Sequence, residues 1–340
     1  MTNGLHMIVM DPKQTMHLGV GRGSGFSAET RKYVPGSAVR GALSAAWWRA
    51  HPSASQADFD SLIATISCSD AVVSWDAGVS GPSLQWTAGA AALDRKICKL
   101  CKPNDPGVPI EGLPWDATEC RVCRGPLEPS KGNRVLPRGA EVLSATRVEL
   151  NEREQAKDDH LYEREGLNTG SRALVALAAG RVKELAKTGQ VLRIGAATSV
   201  AGRLAIADVV PYAPPSLAIS PGKSRLRVEM LTPGVFVDEF GCAVNRPTTH
   251  DLRWSFQLPE TAGITVERAF TRWTTSSGWH TMANRPKPED IAVVAHSCFY
   301  VRVEVDEPIT VPTIVHDLGI RTGEGCGWAS LSTLLESADA

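Results

Sequence analysis

At 340 residues the chain has room for two domains, each with a core of its own. Hydrophobic residues make up 43% and charged residues 21%, which excludes a disordered or fibrous chain. Lys and Arg number 36 against 37 Asp and Glu, so bulk charge cannot hold this protein on a duplex and any nucleic-acid contact has to come from local patches.

No apolar run reaches the roughly 18 residues that span a bilayer, and residues 1–10 lack the basic start and long apolar stretch of a signal peptide. A cytoplasmic protein with free or metal-bound thiols is the expectation.

In chain order, residues 5–10 form an apolar run of strand length, followed by a glycine-rich loop at 19–25 that carries Arg22. Turn chemistry at Pro35-Gly36 and an N-cap at Ser37 predict a helix over 38–50. Its spacing turns Val39, Leu43, Ala46, Trp47 and Ala50 inward and leaves Arg40, Ser44 and Arg49 outside. From 94 to 135, Pro, Gly, Cys and charge replace periodic hydrophobics, as in an inserted module. Residues 142–150 alternate as a strand, 151–165 read as a solvated loop or hairpin tip, and 173–186 are helical in composition. Strands at 191–194 and 203–206 flank a small-residue loop at 195–202. Residues 211–221 read as a linker. Beyond it, strands at 226–231, 291–294 and 299–305 and a glycine loop at 319–327 repeat the first layout, pointing to a duplicated α+β domain.

Four cysteines carry the sharpest chemistry. Cys98 and Cys101 form one Cys-x-x-Cys pair, Cys120 and Cys123 a second, with eighteen residues between the pairs. That spacing fits a structural four-thiolate zinc site, whose binding energy of about 10–16 kcal/mol folds a segment too poor in core to fold alone. Lys99, Lys102, Arg121 and Arg124 offset the thiolate charge. Cys68, Cys242, Cys298 and Cys326 read as small core residues.

The glycine loop at 19–25 fails as a dinucleotide fingerprint, and Ala42 stands where a phosphate loop after Gly36 needs lysine, so no ATP site is expected. Loops bearing Arg22, Arg203 or Arg321 still let a sugar-phosphate backbone approach closely. Asp158-Asp159-His160 reads as a solvated segment, and His17 is a candidate general base for RNA cleavage. Of the nine Trp residues most are expected in the core, while Trp279, in a polar loop, is placed to stack on a base.

Residues 33–43, Tyr-Val-Pro-Gly-Ser-Ala-Val-Arg-Gly-Ala-Leu, resemble the "IPGSSLRGALR" helix start of the RAMP superfamily, the repeat-associated RNA-binding proteins of CRISPR effector complexes. The loop at 319–327 is similar to that family's C-terminal glycine-rich loop. Ser277-Gly278-Trp279 with Arg285-Pro286-Lys287-Pro288 is similar to a stretch in its double-domain members. The resemblance implies two ferredoxin-like (RRM-like) domains: 1–210, with a zinc-binding insertion at 94–135 and a protruding hairpin at 142–167, and 222–340. It implies a crRNA-binding subunit of a type III, III-D-like, effector complex that caps the guide 5′ handle and nucleates assembly for antiviral RNA-guided interference. Its partners would be crRNA, other RAMP subunits, the large subunit and, indirectly, target RNA. The residues marked for RNA are Arg22, Ser37, Arg40, Arg147, Arg203, Trp279, Arg321, Gly323 and Gly325, with backbone contacts from Arg153 and Arg164 on the hairpin. Cleaving family members carry an Asp before the Pro-Gly-Ser helix; here the sole acid between Leu18 and Pro35 is Glu29, so the expectation is a chain that binds RNA without cutting it. The alternative is a RAMP-family endoribonuclease, either a target-cleaving backbone subunit or a crRNA-processing enzyme.

Overall fold

The computed structural model describes residues 4–20, 27–75, 90–101, 112–150, 156–195, 202–277, 279–280 and 285–334. It is mostly β with few helices, an α+β arrangement built on two main antiparallel sheets.

The first sheet is made by β1 (Leu5–Pro12), β2 (Ser67–Cys68), β3 (Val72–Val73), β4 (Leu174–Ala179) and β5 (Arg203–Tyr212). Its spatial order is β5-β1-β4-β2, with β3 also on β4 and Val191–Arg193 flanking β5. α1 (Gly36–Ala50) and α2 (Gln56–Ile63) connect β1 to β2, and α3 (Val182–Leu185) connects β4 to β5. Ile8 and Met10, Ala176 and Ala178, and Leu204 and Ile206 alternate onto the face that receives Val39, Leu43 and Ala46 of α1.

The second sheet repeats this order. β6 (Gly222–Met230), α4 (Thr249–Ser255), β7 (Gly263–Phe270), β8 (Cys298–Val305) and β9 (Ala329–Thr333) follow along the chain, and the strands lie as β9-β6-β8-β7. In both sheets, therefore, the last strand of the unit sits beside the first, and the strand before it separates the first from the second. The second crossover differs: between β8 and β9 the chain makes a single 3-10 turn, Thr322–Glu324, in place of a helix. Leu226, Val228 and Met230 of β6 and Phe299, Val301 and Val303 of β8 pack with Leu252 and Phe256 to form a separate core.

The halves meet on the outer face of the first sheet, where Leu177 and Ala179 are buried against Leu231 and Trp328. The indole Nε1 of Trp328 donates to Ser67 Oγ (3.1 Å), and Ser67 Oγ donates to the Thr322 carbonyl (2.9 Å). The insertion folds around a small sheet of Arg95–Cys98 with Leu113–Pro114 and Leu127–Pro129, and rests on the second half. Asp94 receives Arg227 (2.6 Å) and Tyr300 (3.2 Å). The hairpin pairs Glu141–Leu150 with Ala156–Asn168.

Several expectations change. Residues 173–186 are a strand and a short helix, because β4 is covered on both faces and a doubly buried strand is apolar at every position, as a buried helix is. Ala156–Asn168 is strand despite its charge. Within the linker, Ser216–Ile219 pairs with Ile309–Pro312. Cys242 is exposed, unlike the buried Cys68, Cys298 and Cys326. Among the described tryptophans only Trp328 is buried; Trp115, Trp254 and Trp273 are exposed.

Candidate nucleic-acid interface and metal centre

The helix start and the C-terminal glycine loop, some 280 residues apart in sequence, come together. Gly36 abuts the Cys68 carbonyl with no room for a side chain, and a Cβ on Gly325 would lie 2.8 Å from that carbonyl oxygen and 3.0 Å from Gly36 Cα. Gly325 also has φ +87°, a left-handed conformation that glycine adopts without steric cost. Three groups of the sequence-marked set (Ser37 and Arg40, Gly323 and Gly325, and Arg321) are thus neighbours at one junction between the halves.

Ser37 does not cap α1. Pro35 occupies the N-cap position and no side-chain cap bond forms there. The first helical amide, Gly36 N–H, instead donates to the carboxylate of Asp70 (3.0 Å), a residue buried between the halves. Arg134, on the return leg of the insertion, donates to Asp70 Oδ2 (2.9 Å) and to the Leu231 carbonyl (3.1 Å), and lies 4.1 Å above the Tyr33 ring. Burial pushes the Asp70 carboxyl up, and Arg134 and the Gly36 amide oppose that shift. Sequence reading missed both residues. Neither carries a spacing signal, since their partners are distant in sequence.

Arg40 was expected outside. It is half-buried, with its guanidinium donating to the carbonyls of Ile66 (3.1 Å) and Ile63 (2.8 Å) behind α2. Arg321 has φ +58° and is equally committed: Nη1 donates to Ser276 O (3.0 Å), Pro288 O (3.2 Å) and Asp290 Oδ2 (2.6 Å), and Nη2 to Glu324 Oε2 (2.7 Å). Burial would raise the Glu324 carboxyl, yet Lys287 and Arg321 outweigh it and hold it below the usual carboxylate range. Both arginines therefore brace the junction through bonds within the chain.

Arg203 stands elsewhere, exposed at the start of β5 directly opposite the exposed Arg193. Neither has an ion-pair partner among the described residues, and Lys13 N–H donates to the Arg203 carbonyl (2.8 Å). Two like charges facing each other across a ladder are unfavourable until an anion joins them. Arg147 and Trp279 lie on strand backbone whose side chains are outside the described set, and Arg22 and Arg153 fall outside the described residues altogether. His17 Nδ1 lies 2.6 Å from the Glu165 carbonyl oxygen, while the Glu165 carboxylate accepts the Thr30 amide (3.0 Å). The hairpin thus brings a carboxylate to the loop where the sequence showed only Glu29.

The four cysteines of the insertion converge, with ligand atoms all within 4.8 Å of one another and Cys98 Sγ 3.4 Å from Cys123 Sγ. A tetrahedral ion with metal–sulfur bonds of about 2.3 Å needs sulfurs about 3.8 Å apart, so the donor set fits. Each pair turns as a knuckle: Cys101 N–H points at Cys98 Sγ (3.2 Å) and Val122 N–H at Cys120 Sγ (3.4 Å). Amides of Cys123 and Val122 favour the Cys120 thiolate and bring that thiol down from its ordinary value. The four thiols together could hold a metal ion.

Residues 144–332 match the family model described as CRISPR-associated protein (Cas_Cmr3), and the chain belongs to that family. The resemblance to CRISPR-associated RAMP proteins that the sequence motifs carried is thereby supported at the level of the family. No curated protein sequence matches it. Among solved structures it is similar to a chain of the type III-B Cmr-beta complex bound to cognate target RNA, at 10% identity, 86% coverage of each chain and a TM-score of 0.47. It is also similar to a chain of the Csm3-Csm4 subcomplex of the type III-A interference complex, at 10% identity and a TM-score of 0.35, covering 90% of this chain and 99% of the other.

Proposed function

We propose that this chain is a non-catalytic crRNA-binding subunit that holds the 5′ handle of the guide and nucleates a cytoplasmic, antiviral effector assembly. Its two halves are read as ferredoxin-like domains, 1–210 and 222–340, a reading supported by the strand order that both sheets share. Its partners are crRNA, other RAMP subunits and the large subunit, with target RNA met indirectly.

The observation that carries the reading is the junction of the helix start with the glycine loop. Gly36 and Gly325 are buried there and pack on each other, and the half-buried Ser37 and Gly323 beside them are the part of the junction that a sugar-phosphate strand can approach. Arg40 and Arg321 hold its shape, and Arg203 with Arg193 offers free guanidinium groups. Zn2+ in the four-cysteine site, with no catalytic role, would fold the insertion; four thiolates in two knuckles are its preferred donor set.

Crosslinking of the intact complex, followed by sequencing of the attached RNA, tests the reading. Guide 5′ ends are expected on peptides containing residues 36–40 and 319–327; crosslinks from the 3′ end alone would overturn it. Cleavage of target or precursor RNA that disappears with Glu29→Ala, Glu165→Gln or His17→Ala would instead make the chain an endoribonuclease.

A further inference from the structure

The outer face of the second sheet carries a feature that the junction does not use. On β6, Lys223, Arg225, Arg227 and Glu229 alternate with the buried Leu226, Val228 and Met230, so all four face away from the core. On β8 the outward residues are Cys298, Tyr300, Arg302 and Glu304. A bulge between Val266 and Arg268 of β7 sets Arg268 opposite Tyr300 and Phe270 opposite Cys298.

Three aromatic rings cross this face. Trp115 of the insertion lies 5.3 Å from Phe270, and Phe270 lies 5.2 Å from Tyr300, centroid to centroid, with the Lys96 ammonium 5.7 Å over Trp115. Docking the insertion accounts for the ring contacts but not for the charge beside them. Arg227 is neutralised by Asp94 and Glu229, and Lys223 faces Glu304 across the ladder. Arg225 and Arg302, with side chains 51% and 45% exposed, share one carboxylate, Glu267, at 3.0 and 3.4 Å. They also stand directly opposite each other in register, a repulsive arrangement in the free protein. Arg268 is exposed and has no ion-pair partner among the described residues. Cations exceed carboxylates on an open surface edged by a ladder of rings.

We infer that this face binds a single-stranded RNA segment, with bases stacking on the Trp115–Phe270–Tyr300 ladder and phosphates held by Arg268, Arg302 and Arg225. Aromatic rings, of which Trp115 is exposed and Phe270 and Tyr300 half-buried, suit unstacked bases, and guanidinium groups beside them suit the connecting phosphates. The site is separate from the junction between the halves; only the choice of RNA over DNA rests on the function proposed above.

The test is fluorescence anisotropy of the full chain with a labelled single-stranded oligouridine and with an RNA duplex of equal length. The variant Arg268→Glu with Arg302→Glu changes two exposed residues. It is expected to weaken single-strand binding by about tenfold or more and to flatten the logarithmic salt slope by about 1.4, or 0.7 per lost phosphate contact. Photocrosslinking of 4-thiouridine RNA to the unaltered chain is expected to label peptides containing Trp115, Phe270 or Tyr300. Unchanged affinity and slope in the variant, equal binding of the duplex, or crosslinks confined to other peptides would each overturn the inference. Weakened binding seen only with Arg203→Ala would remove this face and leave the guide-binding reading standing; weakened binding seen only with the outer-face variant would do the reverse.

Discussion

The two sheets share one strand order and differ in what covers their outer faces. The first is sealed there by Leu231 and Trp328 of the other half, so β4 is apolar at every position. The second is met by Asp94 and Trp115 of the insertion and by solvent, and β8 alternates cleanly, with Val301, Val303 and Val305 inside and Tyr300, Arg302 and Glu304 outside. The same topology thus writes two different sequence signatures, and the covering layer decides which.

The sharpest way to break this pairing is at Arg134, which ties Asp70 of the first half to the Leu231 carbonyl of the second. Their side chains are 6% and 4% exposed. Arg134→Ala takes the buried Asp70 carboxylate's closest cation away, and should cost about 3–5 kcal/mol in urea denaturation, the scale for a broken buried ion pair. Independent unfolding of the halves in the unaltered protein would show that Arg134 does not couple them.

Acid should act on the second sheet in preference to the first, by releasing the insertion. Burial would raise the carboxyls of Asp94 and Glu229, but hydrogen bonds and charge from Arg227, with His296 beside Glu229, hold both below their ordinary values. Arg95, Tyr300 and Cys298 complete the surroundings of Asp94. Groups whose folded pKa is depressed stabilise the structure above their unfolded pKa of about 4, and lose that contribution as pH falls through the folded value. Hydrogen exchange in residues 91–98 should therefore accelerate below about pH 4, ahead of β1 and β4. Asp94→Asn should flatten this dependence; exchange that rises equally in both sheets would count against the assignment.

Gly325→Ala tests the contact between glycine loop and helix start. A left-handed φ and a 2.8 Å approach to the Cys68 carbonyl leave the added methyl nowhere to go, so a loss of about 1–3 kcal/mol is expected in thermal unfolding. Gly222→Ala, also at positive φ but in open space, isolates the conformational part.

What the sequence disclosed follows the range of the interactions. The cysteine quartet was legible because four ligands in two short repeats are a local pattern, and the structure gathers them. The alternating strands were legible for the same reason. β4 was misread because its second cover lies more than 50 residues away in Leu231, and Arg40 and Arg321 were read as free because their partner carbonyls and carboxylates carry no sequence signal. Residue type marked Ser37, Arg40, Arg321, Gly323 and Gly325 as RNA contacts without any sign that they lie at one junction, and it cannot tell a brace from a ligand.

The smallest expected effect separates the helix starts. α4 is capped locally: Thr248 Oγ1 accepts from the Asp251 amide (3.1 Å) and the Asp251 carboxylate accepts from the Thr248 amide (2.8 Å). Thr248→Ala should cost about 1 kcal/mol. α1 draws its cap from Asp70, so Ser37→Ala should stay within about 0.5 kcal/mol by chemical denaturation, although serine in that position reads as the better cap. If Ser37→Ala instead matched Thr248→Ala, the helix would be locally capped, and the Asp70–Gly36 bond would lose its place as the cap of the first helix.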